Sequence, residues 1–195
     1  SKWYHNFGYG NMRDYPLQDH RYALQQLAAR HKFIDLNKVG IHGHSGGGFM
    51  STAALLSYPD FYKVAVSCAG NHDNRIYNRW WSETHHGVKE VVTEKGDTVF
   101  NYSIRFNQEL VKNLKGHLLL VHGDMDDNVH PANTTRVIDA LIRANKRFDM
   151  LYLPGQRHGF GDMDEYFFWK MADYFSRHLI GDCQESADII QMNND

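Results

Sequence analysis

The chain is poor in several things that would each point elsewhere. It has only two cysteines, Cys68 and Cys183, too few for a disulfide framework. Cys68 lies in an apolar stretch and reads as a small core residue. Four prolines in 195 residues leave long segments free to form regular structure. No apolar run reaches the roughly 18 residues of a membrane span, and no secretory leader pattern follows Ser1. Neither charge sign dominates: 21 basic and 23 acidic residues give a formal net charge of −2. That balance argues against nucleic acid as a partner. No His-x-x-x-His or paired-cysteine spacing suggests a metal, and no internal repeat is visible.

What the chain does have is a hydrophobic share of 42%, enough for one sizeable core. Apolar spacing predicts a helix from Pro16 to about His31, with Leu17, Leu24, Leu27 and Ala28 on one stripe. Val39-Gly40-Ile41 reads as a short buried strand, and Gly46 to about Ser57 as the helix after it. Val64–Val66, Leu118–Val121 and Met150–Leu153 read as three more strands. A helix beginning near Pro131 carries Val137, Ile138, Leu141 and Ile142 on its apolar stripe. A last helix from about Asp164 to His178 is expected to bury Phe168, Met171, Phe175 and Leu179. Strands alternating with helices imply an α/β fold with a mostly parallel sheet and flanking helices. The stretch from Asn71 to Gly116 is polar and aromatic and reads as an excursion with short helices over the strand ends. Asp182 to Asp195 reads as a polar, frayed tail.

The most specific signal is Gly43-His44-Ser45-Gly46-Gly47-Gly48, between a strand and a helix. A sharp strand-to-helix turn needs glycines because side chains there would clash, and it projects one serine hydroxyl while aiming nearby amides at a developing oxyanion. A serine needs a base to remove its proton, and that base needs a carboxylate to fix its tautomer. His158, after the fourth strand, is the candidate base. Asp124, Asp126 and Asp127, after the third strand, compete as the carboxylate, and spacing does not choose among them. The order Ser, Asp, His is the α/β-hydrolase order. The Gly46 amide is the expected oxyanion donor. A complete sheet of that fold has about eight strands; here only four are read, beginning with the elbow strand, so residues 1–181 are expected to be the C-terminal part of a longer α/β-hydrolase domain with its early strands missing. The open sheet edge suggests association, including a homo-oligomer.

Several residues have plainer readings. His44 is expected to pack beside the elbow, and His72, His85 and His86 to sit at the surface or line a pocket. His122 and His130 read as packing or turn-bonding residues. Tyr77, Trp80 and Trp81 read equally as substrate contacts or as a small core under a long loop, and Asn128 as a substrate contact or a loop closure. Trp3, Tyr4 and Phe7 are expected to pack on a missing part or on a partner chain.

The motifs Gly43–Gly48, His122-Gly123-x-x-Asp126-Asp127-Asn128-Val129-x-Pro131 and His158-Gly159 together resemble the prolyl oligopeptidase family of serine peptidases. Asp126-Asp127-Asn128-Val129 is most similar to its dipeptidyl peptidase IV branch. The resemblance implies Ser45 as nucleophile, Asp126 as the triad acid and His158 as the base. It implies that Asn128 helps hold the substrate backbone and that Tyr77 and Trp81 line a pocket for a proline-like ring. It implies a peptide substrate, no cofactor, release of dipeptides from N-termini after Pro or Ala, and a periplasmic or other extracytoplasmic setting. The branch usually has tyrosine after the serine, where this chain has Gly46. Its N-terminal β-propeller and its tyrosine oxyanion donor are outside this sequence. A carboxylesterase-type acyl hydrolase on the same fold, and a catalytically idle binding or assembly module, are the alternatives.

Overall fold

A computed structural model describes residues 1–181; the expected polar tail, 182–195, lies outside the described residues. The elements are α1 (Lys2–Asn6), α2 (Asp14–Arg30), β1 (Val39–His44), α3 (Gly46–Ser57), β2 (Tyr62–Cys68), α4 (Arg79–His86), β3 (Lys89–Val92), β4 (Thr98–Asn101), β5 (His117–Gly123), α5 (Ala132–Arg143), β6 (Asp149–Leu153) and α6 (Asp164–Phe175). A π-helical turn, Ser176–Ile180, follows α6.

The main sheet has four parallel strands in the order β1-β2-β5-β6, with Ile41 opposite Ala65, Ala65 opposite Leu118 and Leu120 opposite Met150. Side chains alternate between the two faces of a strand, and the core divides accordingly. Ala65, Leu118 and Leu120 face one way, onto Leu17 of α2, Ala53–Leu56 of α3 and Val137 and Leu141 of α5, and Tyr62 joins them across a register shift at the start of β2. Val64, Val66, Cys68, Leu119 and Val121 face the other way, onto Leu153, Phe160 and the α6 residues Met171, Tyr174 and Phe175. Apolar runs without alternation are what central parallel strands covered on both faces require, and β2 and β5 have them.

The expected architecture holds, with local corrections. β1 is longer than expected, and only Val39 in it is buried, since among the described residues β1 pairs with β2 alone. Leu27 and Ile142 lie on the outer flanks of their stripes and are exposed, leaving Leu17 as the buried residue of α2. Phe168 is also exposed, because the buried face of α6 is set by Tyr174, whose hydroxyl donates to Asp149 at 2.9 Å. Besides short helices, the excursion from Asn71 to Gly116 holds an antiparallel hairpin, β3–β4. All eight of its strand residues are exposed, so it carries no inside–outside pattern to read. Trp3, Tyr4 and Phe7 are exposed in α1, and Phe7 packs between the rings of Trp3 and Tyr15. No helix among the described residues is long and apolar enough to cross a membrane.

Candidate active site

Ser45 sits where β1 ends and α3 begins, with φ 59° and ψ −120°. A non-glycine residue in that region is strained and needs support from its surroundings. The Ser45 amide donates to the Cys68 carbonyl at 2.8 Å, and the Ser45 carbonyl accepts from Phe49 at 3.0 Å. The glycines explain how the turn fits: a Cβ on Gly43 would run into the Gly47 backbone, and one on Gly48 into the Cys68 carbonyl.

The Ser45 hydroxyl lies 3.0 Å from His158 Nε2, and His158 Nδ1 lies 2.8 Å from Asp126 Oδ2. With the proton on Nδ1, the imidazole donates to Asp126 and accepts from Ser45. Residues 45, 126 and 158, far apart in the chain, are thus brought together at one end of the sheet, after β1, β5 and β6. The geometry also separates the three carboxylates. Asp124 accepts from the Gly155 amide at 2.6 Å, and Asp127 pairs with Arg157 at 2.6 Å on the exposed rim. Asp126 alone turns inward, with its side chain fully buried.

Asp126 is saturated with donors. Its Oδ1 accepts from the amides of Asn128 at 3.0 Å and Val129 at 2.8 Å. Its Oδ2 accepts from His122 Nε2 at 3.1 Å as well as from His158. Burial by itself raises the carboxyl, but the bonds from His158 and the two amides outweigh it and hold Asp126 below the usual carboxylate range. His122 is fixed in turn by the Val129 carbonyl at 2.8 Å and the Thr134 hydroxyl at 2.7 Å. The turn-bonding expected of His122 therefore extends to the carboxylate beside His158.

The rest of the candidate site is aromatic. Tyr77 donates to Asn128 Oδ1 at 3.4 Å, and its ring meets Trp81 edge to face at 6.2 Å. Trp81 lies against Gly46 and meets the His85 ring at a tilt of 52°, with centroids 4.3 Å apart. Trp80, on another face of α4, is 69% exposed and stands apart from this cluster. His44 packs its ring against His158 at 4.8 Å and Phe160 at 5.4 Å, the position expected beside the elbow. Burial, then the nearby His158 imidazole, holds the His44 imidazole below its ordinary value. No group of His, Cys, Asp and Glu among the described residues is arranged to hold a metal.

Two features under the aromatic segment gave no signal in sequence. Asp73 has a fully buried side chain and binds Arg75, Arg136 and Gln108, while its amide donates to Asn133. It pins the segment bearing Tyr77 and Trp81 to α5. Its partners are dispersed along the chain, so no spacing announces them. His72 and His86, expected at the surface or in a pocket, are instead completely buried. Asn107 binds His72 at 2.9 Å, and Asn74 binds His86 at 3.0 Å. Polar contacts buried under a long loop look in sequence like a solvated stretch.

Burial depresses both imidazoles from 6.5 to about 3. Below 6.5 the unfolded chain takes up protons that the native state refuses, so folding stability falls as pH drops toward 3. Each imidazole contributes up to about 1.4 kcal/mol per pH unit across that window. The melting temperature is therefore expected to fall steeply between about pH 6.5 and pH 4.5, and His86→Asn should flatten the curve. A wild-type melting temperature that is level over that range would contradict the buried, neutral assignment.

The sheet and elbow define an α/β-hydrolase type of domain. A family model described as "Prolyl oligopeptidase family" matches residues 1–182, and the chain belongs to that family. It is 32% identical over 170 residues to human "Dipeptidyl peptidase 8", covering 87% of this chain and 18% of that protein. It is 29% identical over 154 residues to mouse "Prolyl endopeptidase FAP", covering 77% of this chain and 19% of that protein. Among solved structures, Porphyromonas gingivalis dipeptidyl peptidase 4 superposes with a TM-score of 0.75 at 25% identity, over 91% of this chain and 24% of that one. The chain thus spans about a fifth of the length of the curated relatives it matches.

Proposed function

We propose that this chain carries the catalytic residues of a serine peptidase that cleaves through an acyl-enzyme and releases dipeptides from peptide N-termini after Pro or Ala. The observation that carries the proposal is the unbroken run of hydrogen bonds from Ser45 through His158 to Asp126, at 3.0 and 2.8 Å. In the proposed mechanism His158 Nε2 takes the Ser45 proton as Oγ attacks the scissile carbonyl. Asp126 keeps the productive tautomer and stabilises the imidazolium. The Gly46 amide, at the N-terminus of α3, stabilises the oxyanion. His158 then hands its proton to the departing amine. A water, deprotonated by His158, attacks the ester carbonyl and frees Ser45.

Asn128, which accepts from Tyr77, is proposed to bind the substrate backbone, with Tyr77 and Trp81 as flat apolar walls beside it; their mutual contacts support this reading. The names of the relatives support the peptidase class. By resemblance, a β-propeller and a second oxyanion donor belong to parts of the protein outside this sequence, so assays use the protein at its natural length. Proline- and alanine-containing dipeptide anilides should be cleaved faster than the same dipeptides blocked at their N-terminus. Cleavage of p-nitrophenyl esters with no cleavage of any anilide would replace this proposal with an acyl hydrolase. Preference for N-blocked peptides would replace dipeptide release with endopeptidase action.

A further inference from the structure

The two halves of the candidate site share one support. Asn133, Thr134 and Arg136 lie at the start of α5, and the first two are buried. Thr134 reaches His122 Nδ1 at 2.7 Å, and His122 Nε2 reaches Asp126 Oδ2 at 3.1 Å. Asn133 Oδ1 accepts from the Asp73 amide at 2.9 Å, and Arg136 Nη1 pairs with Asp73 Oδ2 at 2.6 Å. Asp73 caps the short turn Asn74–Ile76, accepting from the Arg75 amide at 3.1 Å, and Tyr77 follows directly. Tyr77 donates to Asn128, whose own amide donates to Asp126 at 3.0 Å. The bonds therefore close a circuit. It leaves α5 at Thr134, passes Asp126 and the aromatic segment, and returns to α5 at Asn133 and Arg136.

The partners of His122 fix where its proton sits. The Asp126 carboxylate and the Val129 carbonyl can only accept, so Nε2 carries the hydrogen and shares it between them at 3.1 and 2.8 Å. Nδ1 is left to accept, and the Thr134 hydroxyl donates to it. Burial holds the imidazole below its ordinary value despite both acceptors, so the ring donates to Asp126 without carrying a charge. Asp126 thus takes a fixed direction from a neutral donor and keeps its charge for His158. An imidazolium in the same place would compete for that charge.

We propose that the start of α5 is the common base of the site: Thr134, through His122, aims Asp126 at His158, while Asn133 and Arg136, through Asp73, hold the segment that presents Tyr77. These are positioning residues, and the inference rests on the serine peptidase proposal. It gives the two arms different work. The Thr134 arm sets how well His158 takes and returns a proton, so it governs kcat. The Asp73 arm sets where the substrate-facing segment stands, so it governs KM. A purely structural role for α5 makes no such division.

The test uses the protein at its natural length, dipeptide anilides as substrates, and a fluorophosphonate titration run to completion to count working Ser45 sites. Thr134→Val keeps the side-chain shape and removes one hydroxyl. It is expected to lower kcat per titrated site by about tenfold, the weight of one buried hydrogen bond, with KM changed by less than about twofold. Thr134→Ser keeps the hydroxyl and should hold kcat within about threefold of wild type. His122→Phe removes the donor to Asp126 and is expected to lower kcat by about 100-fold, the cost of a misplaced catalytic group. If that variant fails to fold, the two Thr134 variants decide. Arg136→Met cuts one tie to α5 while Arg75 and Gln108 still bind Asp73. It should raise KM by about tenfold and leave kcat within about twofold, the signature of lost uniform binding. Thr134→Val with unchanged kcat per titrated site, or Arg136→Met with unchanged KM, overturns the inference. So does a proportional change of both constants in every variant. A wild-type protein that titrates and cleaves anilides, with variants that do not separate the two constants, refutes only the common base. A wild-type protein that neither titrates nor cleaves refutes the serine peptidase proposal as well.

Discussion

Ser45→Ala is expected to lower turnover of dipeptide anilides by on the order of a millionfold, down to the residual rate that binding and oxyanion contacts alone sustain. The size of the effect follows from the elbow. Ser45 holds a strained backbone at φ 59°, and its hydroxyl is 3.0 Å from the base. Alanine keeps that backbone's neighbours, including the bond from the residue 45 amide to Cys68, and removes only the nucleophile. The fold should survive, so a far-ultraviolet spectrum and melting temperature close to wild type accompany the loss. A folded variant that keeps more than about a thousandth of the rate would show that another residue attacks.

Asp126→Asn is expected to lower kcat by about 10⁴-fold, and the bonding around the carboxylate says why. Oδ1 accepts from two backbone amides, Asn128 and Val129. An asparagine must keep its carbonyl oxygen there, since its NH₂ group is a donor with no lone pair to accept from the two amides. That choice turns its NH₂ toward His158 and His122, where Oδ2 now sits. His158 Nδ1 then has to accept, the proton moves to Nε2, and the ring can no longer take a proton from Ser45. The loop stays intact while the tautomer is wrong, so KM should move far less than kcat. Asp127→Asn is the contrast. It breaks only an exposed pair with Arg157, of the kind worth about 0–1 kcal/mol, and kcat should change by less than about fivefold. Equal losses in the two variants would remove the distinction between the neighbouring carboxylates.

Much of the fold was legible because its signals are local. Glycine spacing around Ser45 placed the elbow and the start of α3 to the residue. Apolar runs without alternation marked β2 and β5, which pack on both faces. The errors fall where a third element decides the outcome. Tyr174 rather than Phe168 is buried because Asp149 on β6 captures its hydroxyl. His72 and His86 vanish into the interior because Asn107 and Asn74 meet them there. The β3–β4 hairpin has no buried face, and such a segment leaves no periodic trace.

The same limit applies at the site. Strand order brings residues 45, 126 and 158 to one end of the sheet, and that much can be read from motif order. Which of Asp124, Asp126 and Asp127 faces inward depends on how the loop folds against Gly155 and Arg157, and sequence spacing is silent about it. The fit of Trp81 over Gly46 is less visible still. An absent side chain becomes meaningful only when the ring that occupies its volume is seen.

Mass spectrometry of the natural-length protein after brief exposure to a fluorophosphonate is the most direct measurement. A phosphonyl group found on residue 45 in wild type, formed far more slowly in His158→Ala, is the outcome required by a hydroxyl activated through the neighbouring ring. Properly folded protein left unmodified, or carrying the group on some other serine, would be incompatible with an activated alcohol at the elbow.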